Sequence, residues 1–297
     1  MRKKSLNKIK MAHLSDEQIK KLEATANTIR QDIIAMLLEA KTGHSAGPLG
    51  MADVFTVLYH TDAIKHDPKN PDWEERDRIV LSNGHICPVL YVAMARAGYF
   101  SVEELKTLRK FGTKLQGHPH RLVLPGLETS SGPLGSGLSQ AAGMAYALKA
   151  DKKKNQVVCL MGDGELDCGQ IWEAAMWAGK NKLDNLTAII DRNNIQIDGF
   201  TEEIMPLEPL DEKFHAFGWH VLEINGNDIR AVYDAVFQAR AIFEKPVCII
   251  AYTIPGKGVD FMEQDFNWHG KPPNKEEGEK ALRELRTLGG KIASENE

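Results

Sequence analysis

Five apolar runs recur along the chain, and each is soon followed by glycine, aspartate or asparagine. Their hydrophobicity is continuous rather than alternating, which indicates strands covered on both faces, as in a parallel sheet between two layers of helices. Helical patterns separate most of the runs. The pattern therefore predicts a doubly wound α/β fold, with a mainly parallel sheet and helices on both of its faces. The runs lie within "RIVLSNGH", "QVVCLMGDG", "LTAIIDRNN", "WHVLEING" and "KPVCIIAYTIPGKG".

A long amphipathic helix is predicted near the amino terminus. Ser15 is a candidate N-cap, and apolar residues recur at helical spacing from there until Gly43. The first strand is expected at residues 79–81, where an apolar run ends in a polar turn. Further helices are predicted over residues 136–149, 170–182 and 228–243.

The two ends of the chain are charged. Residues 1–14 form a basic leader that we expect to be disordered. No apolar segment of signal-peptide length follows it, so it is not interpreted as a signal peptide. Residues 276–297 form a charged tail, which we interpret as a solvated, fraying helix rather than a docking element. Its ending, "KIASENE", is typical of a natural terminus. No break in composition divides residues 15–275, which are therefore predicted to form one domain.

Composition limits the class of partner. The net charge of −4 provides no global positive field for nucleic acid or for an anionic membrane surface. No segment approaches the roughly 20 apolar residues of a membrane span, so we expect a cytoplasmic protein. The four cysteines are scattered without metal-ligand spacing, and we expect buried thiols rather than disulfides.

The most informative polar residue is Asp163, which stands between Gly162 and Gly164 at the end of an apolar run. Ligands of open parallel sheets bind beyond the carboxyl ends of the strands. The flanking glycines allow a phosphate to approach the backbone closely, and the following helix favours an anion. Because a lone carboxylate would repel that phosphate, a divalent cation between the two is expected.

Asn193 follows the next predicted strand, thirty positions after Asp163. Adjacent strand ends would bring both side-chain oxygens to one ion, and the backbone carbonyl of Ile195 is a candidate third ligand. Such hard oxygen ligands suit Mg²⁺, with Ca²⁺ or Mn²⁺ as alternatives, while phosphate and water complete the shell. Asp163 by itself could equally be a structural cap; its pairing with "DRNNIQIDG" favours the metal site.

At this point the chain resembles the thiamine diphosphate enzymes, in which "GDG" followed by asparagine marks the diphosphate–magnesium site. Within that group it is most similar to the amino-terminal part of transketolase, over residues 17–273. The resemblance implies the diphosphate-binding (PP-type) domain of the thiamine diphosphate fold. Further matching segments are "KTGHSAGPLGMAD", "RDRIVLSNGH", "GHPHRLVLPGLETSSGPLGSGLSQAAGMA", "LDNLTAIIDRNNIQIDG" and "WHGKPP".

The resemblance implies thiamine diphosphate and Mg²⁺ as cofactors and gives the matched residues their roles. Four histidines lie next to glycine in predicted loops, and three of them are implied in donor hydroxyl contacts and proton transfer, a task that suits a side chain titrating near neutrality. The implied metal ligands are Asp163, Asn193 and the Ile195 carbonyl; the implied cofactor contacts are His85, His269, Gly162, Gly164, the Gly132 carbonyl and Leu134 beneath the thiazolium; the implied proton-transfer residues are His44, His118 and His269.

Two departures from the family pattern stand out. Cys168 occupies the position of a family glutamate that belongs to an acidic cluster at the dimer interface, whereas Glu173 matches the next family carboxylate. A thiol is a poor replacement for an acid in a proton network, so altered communication between paired sites is implied. The second departure is length, because the chain stops before the family's activating glutamate, pyrimidine pocket and phosphate-binding arginines.

These features predict the amino-terminal subunit of a split transketolase. A separate pyrimidine-binding chain would complete the site in a dimer of heterodimers, and the reaction would move a two-carbon ketol unit between sugar phosphates. Three alternatives remain: a deoxyxylulose phosphate synthase-like subunit, a transketolase for an unusual sugar, and a non-catalytic regulatory subunit that binds the cofactor. A dinucleotide-binding dehydrogenase is disfavoured because no Gly-x-Gly-x-x-Gly loop follows a first strand.

Overall fold

The computed structural model describes residues 13–294 of the chain. Helices and strands alternate along most of this range. The helices are α1 (Asp16–Ala40), α2 (Ala46–Gly50), α3 (Ala52–His60), α4 (Cys87–Ala97), α5 (Gly137–Ala150), α6 (Gly169–Lys180), α7 (Thr201–Ile204), α8 (Leu210–Ala216), α9 (Ile229–Ala239) and α10 (Lys275–Ser294). The strands are β1 (Arg78–Leu81), β2 (Val157–Gly162), β3 (Leu186–Arg192), β4 (Ile195–Gln196), β5 (Gly199–Phe200), β6 (His220–Asn225) and β7 (Val247–Tyr252).

Five strands form one parallel sheet in the order β1-β2-β3-β7-β6, and β4 and β5 form a separate antiparallel pair. The predicted doubly wound α/β fold is thereby confirmed. In the register of β2 and β3, Gly162 pairs with Asp191, so the two strands end side by side. Strand β6 is only partly buried, unlike the prediction that every strand is covered, because it lies at the edge of the sheet.

Side chains of the central strands alternate between two apolar layers. Val158 and Leu160 pack in the cluster formed with α1, α3, α4 and α9. Val157 and Cys159 point the opposite way, into the cluster formed with α5, α6 and α8. This period-two alternation within a continuously apolar run is what a sheet buried on both faces requires. Because both faces of the central strands are packed, the loops that follow the strands start from a firmly held edge of the sheet.

Helix α1 begins as the sequence predicts. Ser15 Oγ accepts a hydrogen bond from the Gln18 N–H (3.2 Å), and Gln18 Oε1 accepts one from the Ser15 N–H (2.9 Å). This capping box satisfies two backbone donors that the helix itself cannot bond. The helix ends at Lys41, whose φ of +56° is left-handed, slightly before the predicted stop at Gly43.

The interpretation of the tail as solvated is wrong for one side of α10. The predicted helix is present, but Ala281 and Leu285 are buried in the cluster that contains α1. Asn27 Nδ2 of α1 also donates to the Leu285 carbonyl (3.0 Å). The apolar stripe that contains Ala281 and Leu285 is narrow and lies among charged residues, which is why the sequence pattern did not indicate it. The domain therefore extends past residue 275. Of the basic leader, residues 1–12 lie outside the described residues, and Leu14 is buried.

The thiols behave as the sequence predicts. All four cysteines are free; Cys87, Cys159 and Cys248 are buried, and Cys168 is partly exposed. Across residues 13–294, none of the helices combines the length and the apolar character needed to cross a membrane.

Candidate active site

A cavity of about 330 Å³ opens at the carboxyl edge of the sheet, where β2 and β3 end. Residues that are far apart in sequence converge there because parallel strands deliver their following loops to the same edge. Every site residue predicted from the sequence lines this cavity: His44, His85, His118, Gly132, Leu134, Gly162, Asp163, Gly164, Asn193, Ile195 and His269. The predicted convergence is therefore observed, whatever role each residue has.

Asp163 is buried directly after β2 and accepts three hydrogen bonds. The Gly164 N–H donates to Oδ1 (2.8 Å), whereas the Asn194 N–H (2.6 Å) and Arg192 Nη1 (3.1 Å) donate to Oδ2. Burial raises the pKa of this carboxyl to about 6, although all three donors act in the opposite direction. A carboxylate offers about four lone-pair positions, so one position, on Oδ1, stays open.

Asn193 is held near Asp163 because its chain neighbour Asn194 donates its backbone N–H to Asp163 Oδ2. Its Oδ1 accepts the Ile195 N–H (3.0 Å), and its Nδ2 donates to Asp191 Oδ2 (2.8 Å). These two bonds fix the amide orientation and leave one lone pair of Oδ1 unused. Burial also raises the pKa of Asp191 to about 7. The adjacency of the two strand ends, on which the metal prediction depends, is thus present.

The predicted metal ligands fit a hard cation that keeps several non-protein ligands. Among the described residues, no group of three or more histidine, cysteine, aspartate or glutamate side chains could hold a metal. The set Asp163, Asn193 and Ile195 instead offers one carboxylate, one amide oxygen and one backbone carbonyl. Magnesium commonly takes one or two side-chain oxygens and completes its octahedron with phosphate and water. Zinc, which prefers nitrogen and sulfur ligands, is a poor match.

Some polar side-chain atoms in the lining of the cavity make no hydrogen bond within the protein. Four buried side-chain atoms of its lining residues have no hydrogen-bond partner within the protein. An orphaned buried polar atom costs free energy unless a ligand or water satisfies it, so a polar ligand fits the cavity. The four atoms are His44 Nδ1, Asn83 Oδ1, Gln196 Nε2 and His269 Nδ1.

Three of the predicted histidines form a compact cluster. The ring centroids of His44 and His85 lie 4.8 Å apart, those of His85 and His269 5.2 Å, and those of His44 and His269 5.8 Å. His118 reaches the same cavity from another loop and faces Gly132, which has a φ of +150°. An L side chain rarely adopts that conformation. Glycine therefore keeps the approach to His118 open.

The histidine cluster is neutral at pH 7. Burial, with smaller contributions from the neighbouring imidazoles, lowers the pKa of His44 to about 4 and that of His85 to about 3. Burial likewise lowers the pKa of His118 and of His269. A neutral imidazole can accept a proton, and an arriving anion would favour its charged form.

We expect the free energy of unfolding to fall as the pH falls from about 6.5 toward 4, in part because of His85. Below 6.5 the unfolded state binds a proton at His85 and the folded state does not, which lowers stability by up to about 1.4 kcal/mol per pH unit. His85→Gln should flatten this slope in urea titrations at several pH values. Asp163 and Asp191 contribute the opposite slope, so the variant is compared with its parent.

The exposed His215 offers the control for this prediction. His215→Gln should leave the pH dependence of unfolding as in the parent protein. Equal slopes for His85→Gln and the parent would contradict a neutral, buried His85.

Sequence reasoning missed Glu165, a buried carboxylate that also lines the cavity. It accepts hydrogen bonds from the Gly135 N–H (2.7 Å), the Gly162 N–H (3.2 Å) and the hydroxyl of Ser82. These donors come from the ends of β1 and β2 and from the loop before α5. Glu165 therefore ties three site-forming segments together. The signal for Glu165 in the sequence was an acidic residue directly after the Gly-Asp-Gly motif.

Arg192 was missed as well. Its guanidinium is buried and donates from Nη1 to Asp163 and to Thr201 Oγ1 (2.8 Å). From Nη2 it donates to Glu202 (2.6 Å) and Glu208 (2.8 Å). The arginine thus fixes the segment after β5 against the carboxylate predicted to bind metal. The signal in the sequence was a basic residue, Arg192, shortly after the apolar run of β3.

Cys168, which departs from the family pattern, and Glu173, which matches it, lie in different environments. Cys168 is partly buried beside Gly135, and burial raises the pKa of its thiol, which keeps it protonated. Glu173 is exposed on α6. Neither residue lines the cavity, so the replacement of the family glutamate leaves the geometry at Asp163 intact.

Comparisons with known proteins identify the family of the chain. The family model described as "Transketolase, thiamine diphosphate binding domain" matches residues 21–290. The 6-deoxy-6-sulfo-D-fructose transketolase subunit SqwG of Clostridium sp. is 44% identical and is aligned over 93% of this chain and 100% of its own length. A subunit of the apulose-4-phosphate transketolase of Phocaeicola vulgatus is 42% identical, over 94% of this chain and 99% of that polypeptide.

Full-length transketolases match over less than half of their length. Human transketolase is 38% identical over 92% of this chain and 43% of its own sequence. The crystal structure of transketolase from Campylobacter jejuni superposes with a TM-score of 0.85 at 38% identity, covering 92% of this chain and 43% of that one. The chain therefore belongs to the transketolase family, as an amino-terminal, thiamine diphosphate-binding subunit.

Proposed function

We propose that the chain is the diphosphate-binding subunit of a cytoplasmic split transketolase, which moves a two-carbon ketol unit from a ketose phosphate to an aldose phosphate in carbohydrate metabolism of the pentose phosphate type. The observation that carries the proposal is the convergence of the matched family residues on one cavity at the carboxyl edge of the sheet. Bound thiamine diphosphate supplies the electron sink for carbon–carbon cleavage. The chain supplies anchoring, orientation and proton transfer.

The diphosphate is held through Mg²⁺ and through direct contacts. Asp163 offers its open Oδ1 position to the cation, and Asn193 Oδ1 and the Ile195 carbonyl complete the protein ligands. The imidazoles of His85 and His269 lie within the same cavity and would contact the phosphate oxygens. The Gly164 N–H, which donates to Asp163 Oδ1 (2.8 Å), would have to leave that bond to do the same. At the neighbouring loop, Gly132 offers its carbonyl to the pyrimidine amino group, and Leu134 supports the thiazolium. Gly162 keeps side-chain atoms away from this approach.

Proton transfer falls to His44, His118 and His269. The donor sugar must lose a hydroxyl proton as its carbon–carbon bond breaks, and a neutral imidazole is the group that accepts such a proton at pH 7. The lowered pKa values keep the three imidazoles neutral and able to accept a proton, but the pKa of about 4 makes His44 a weaker base than the near-neutral group predicted from the sequence. A subunit that only bound the cofactor would not need the two additional imidazoles of His44 and His118 in the same cavity, which disfavours the regulatory alternative.

A second subunit completes the site, in a dimer of heterodimers. Relatives of similar length are themselves named as subunits of transketolases, which supports a separate partner. Beside the cavity, the segment from Ile197 to Met205 exposes the apolar side chains Ile197, Phe200, Ile204 and Met205. Clustered exposed apolar residues next to a site are typical of an interface. We therefore assign this segment to the contact with the pyrimidine-binding subunit.

The names of two relatives also favour an unusual sugar as a second candidate function. One acts on 6-deoxy-6-sulfo-D-fructose and the other on apulose 4-phosphate, by their names. The part of the site that holds the far end of the sugar lies outside this chain in the family. The choice of sugar is thus a property of the assembled enzyme.

The test is ketol transfer by the assembled enzyme. The chain is combined with the product of a neighbouring reading frame that matches the pyrimidine-binding half of transketolase, and is supplied with thiamine diphosphate and Mg²⁺. We expect aldose release from at least one donor in a panel of ketose phosphates, 6-deoxy-6-sulfo-D-fructose and apulose 4-phosphate. Cofactor binding without transfer from any donor would contradict the enzymatic assignment and favour the regulatory one.

A further inference from the structure

Arg109 joins the two loops that carry His44 and His118. Its Nη1 donates to Thr42 Oγ1 (2.9 Å), two residues before His44. Its Nη2 donates to the Gly117 carbonyl (3.4 Å), immediately before His118. One planar guanidinium thus spans two loops that are more than 70 positions apart in sequence. A fork of donors in fixed geometry sets the separation of the groups that it bonds.

The loop before His118 is held from a second side by α4. Cys87 Sγ donates to the Gly117 carbonyl (3.2 Å), and Tyr91 Oη donates to the Gln116 carbonyl (2.9 Å). A Cβ atom at Gly117 would lie 3.0 Å from Arg109 Nε, so the guanidinium packs flat against this glycine. The Gln116–Gly117 backbone is therefore trapped between a helix and the arginine.

The charge of Arg109 is not neutralised by a carboxylate. Within residues 13–294 no ion pair involves Arg109, and its buried Nε lacks a hydrogen-bond partner. A partly buried cation without a counter-ion is costly. The charge acts on the histidines: it lowers the pKa of His118, after burial, and contributes to the lowered pKa of His44. The other titratable groups facing His44 are His269, His118 and the neighbouring ring of His85.

We propose that Arg109 is a positioning residue that sets the spacing of the His44 and His118 loops and directs an unpaired positive charge at both imidazoles. Arg109 does not line the cavity, so it acts through the two histidines and not on the cofactor. The inference rests on the proposed function for its kinetic consequence only. Its geometric and electrostatic parts concern the isolated chain.

The electrostatic part is tested by NMR titration of the histidine C–H signals in the full chain without its partner. In Arg109→Gln the pKa of His118 should rise by about 0.5, since a nearby like charge has been removed. Arg109→Lys keeps the charge, and its His118 should titrate as in the parent. Arg121→Gln, a loss of charge at an exposed arginine near the same loop, should also titrate as in the parent. An unchanged pKa of His118 in Arg109→Gln overturns this part.

The positioning role of Arg109, whose bonds to Thr42 and to the Gly117 carbonyl we call the clamp, is tested kinetically in the assembled enzyme. Arg109→Lys and Thr42→Val should each lower kcat/KM for the ketose donor by about 10-fold or more, because small misplacements of reacting groups are costly. Thiamine diphosphate affinity should stay within about 2-fold of the parent. Thr42→Val removes one end of the clamp while leaving Arg109 in place, and it decides the question if the arginine variants fail to fold.

The outcomes separate the two levels of the argument. Parental kcat/KM in Thr42→Val and Arg109→Lys overturns the clamp. An equal loss of donor turnover and cofactor affinity also overturns it, because it indicates general damage to the site. If the parent enzyme shows no ketol transfer, the proposed function fails while the NMR titration still decides whether Arg109 acts on His118.

Discussion

Asp163→Ala is expected to weaken Mg²⁺-dependent binding of thiamine diphosphate to the assembled enzyme by more than about 100-fold and to abolish ketol transfer. The substitution removes the only carboxylate among the predicted metal ligands. Without the cation, the diphosphate would face the buried Asp191 at the end of the neighbouring strand. Losing even an outer-shell partner of a metal ligand typically costs 10- to 100-fold in metal affinity, and loss of the ligand itself should exceed that. Calorimetric titration with cofactor at fixed Mg²⁺ measures the effect.

The control for Asp163→Ala is Arg192→Met, because both substitutions break the same buried ion pair. Breaking a buried pair by removing one partner costs about 3–5 kcal/mol, so both variants should be destabilised in urea titrations. Only Asp163→Ala should lose the metal dependence of cofactor binding, since Arg192→Met retains the carboxylate and its two backbone donors. Unchanged cofactor affinity in Asp163→Ala would remove the metal assignment.

The purified chain alone is expected to show no measurable ketol transfer, and addition of the partner subunit should raise the rate by at least about 1,000-fold. The resemblance places the activating glutamate and the pyrimidine pocket in the part of full-length transketolases that this chain does not cover. General acid–base groups contribute about 100- to 10,000-fold to a reaction, and here the missing group also prepares the cofactor. A discontinuous assay of aldose release, with each subunit titrated against the other, measures the effect.

Two substitutions, one inside and one outside the proposed interface segment from Ile197 to Met205, test whether activity depends on assembly with the partner. Ile204→Glu should weaken assembly and thereby the activity, because a charge would be placed in an apolar contact. Phe243→Glu alters an exposed aromatic residue outside that segment and should leave activity unchanged. Turnover by rigorously purified chain, without a second polypeptide, would refute the split-subunit proposal.

The parallel, doubly wound sheet and the position of the site could be predicted because both depend on local patterns. Continuous apolar runs specify buried parallel strands, and the polar residues directly after them must then meet at one edge. For this reason Asp163 and Asn193 were placed correctly from strand ends alone. The cap at Ser15 is equally local, since its partner Gln18 lies three residues away.

What sequence reasoning missed depends on contacts between distant segments. Arg192 bonds residues before and after it in the chain, and Glu165 bonds segments that end near Ser82 and Gly135. No short pattern records which of these side chains turn inward. The error in the interpretation of the tail has the same cause. Leu285 is buried because it packs in the apolar cluster that contains α1, and the sequence of the tail alone does not show that contact.

The differing exposure of the four thiols has a practical consequence. Cys87, Cys159 and Cys248 are buried, whereas Cys168 is partly accessible beside the loop that leads to Gly135. Treatment with a maleimide dye at alkaline pH, where part of the Cys168 thiol is ionised despite its raised pKa, should therefore label one position without any mutagenesis. A fluorophore at Cys168 would sit close to the cofactor loop while leaving the cavity lining untouched, and its emission could follow the joining of the two polypeptides in real time.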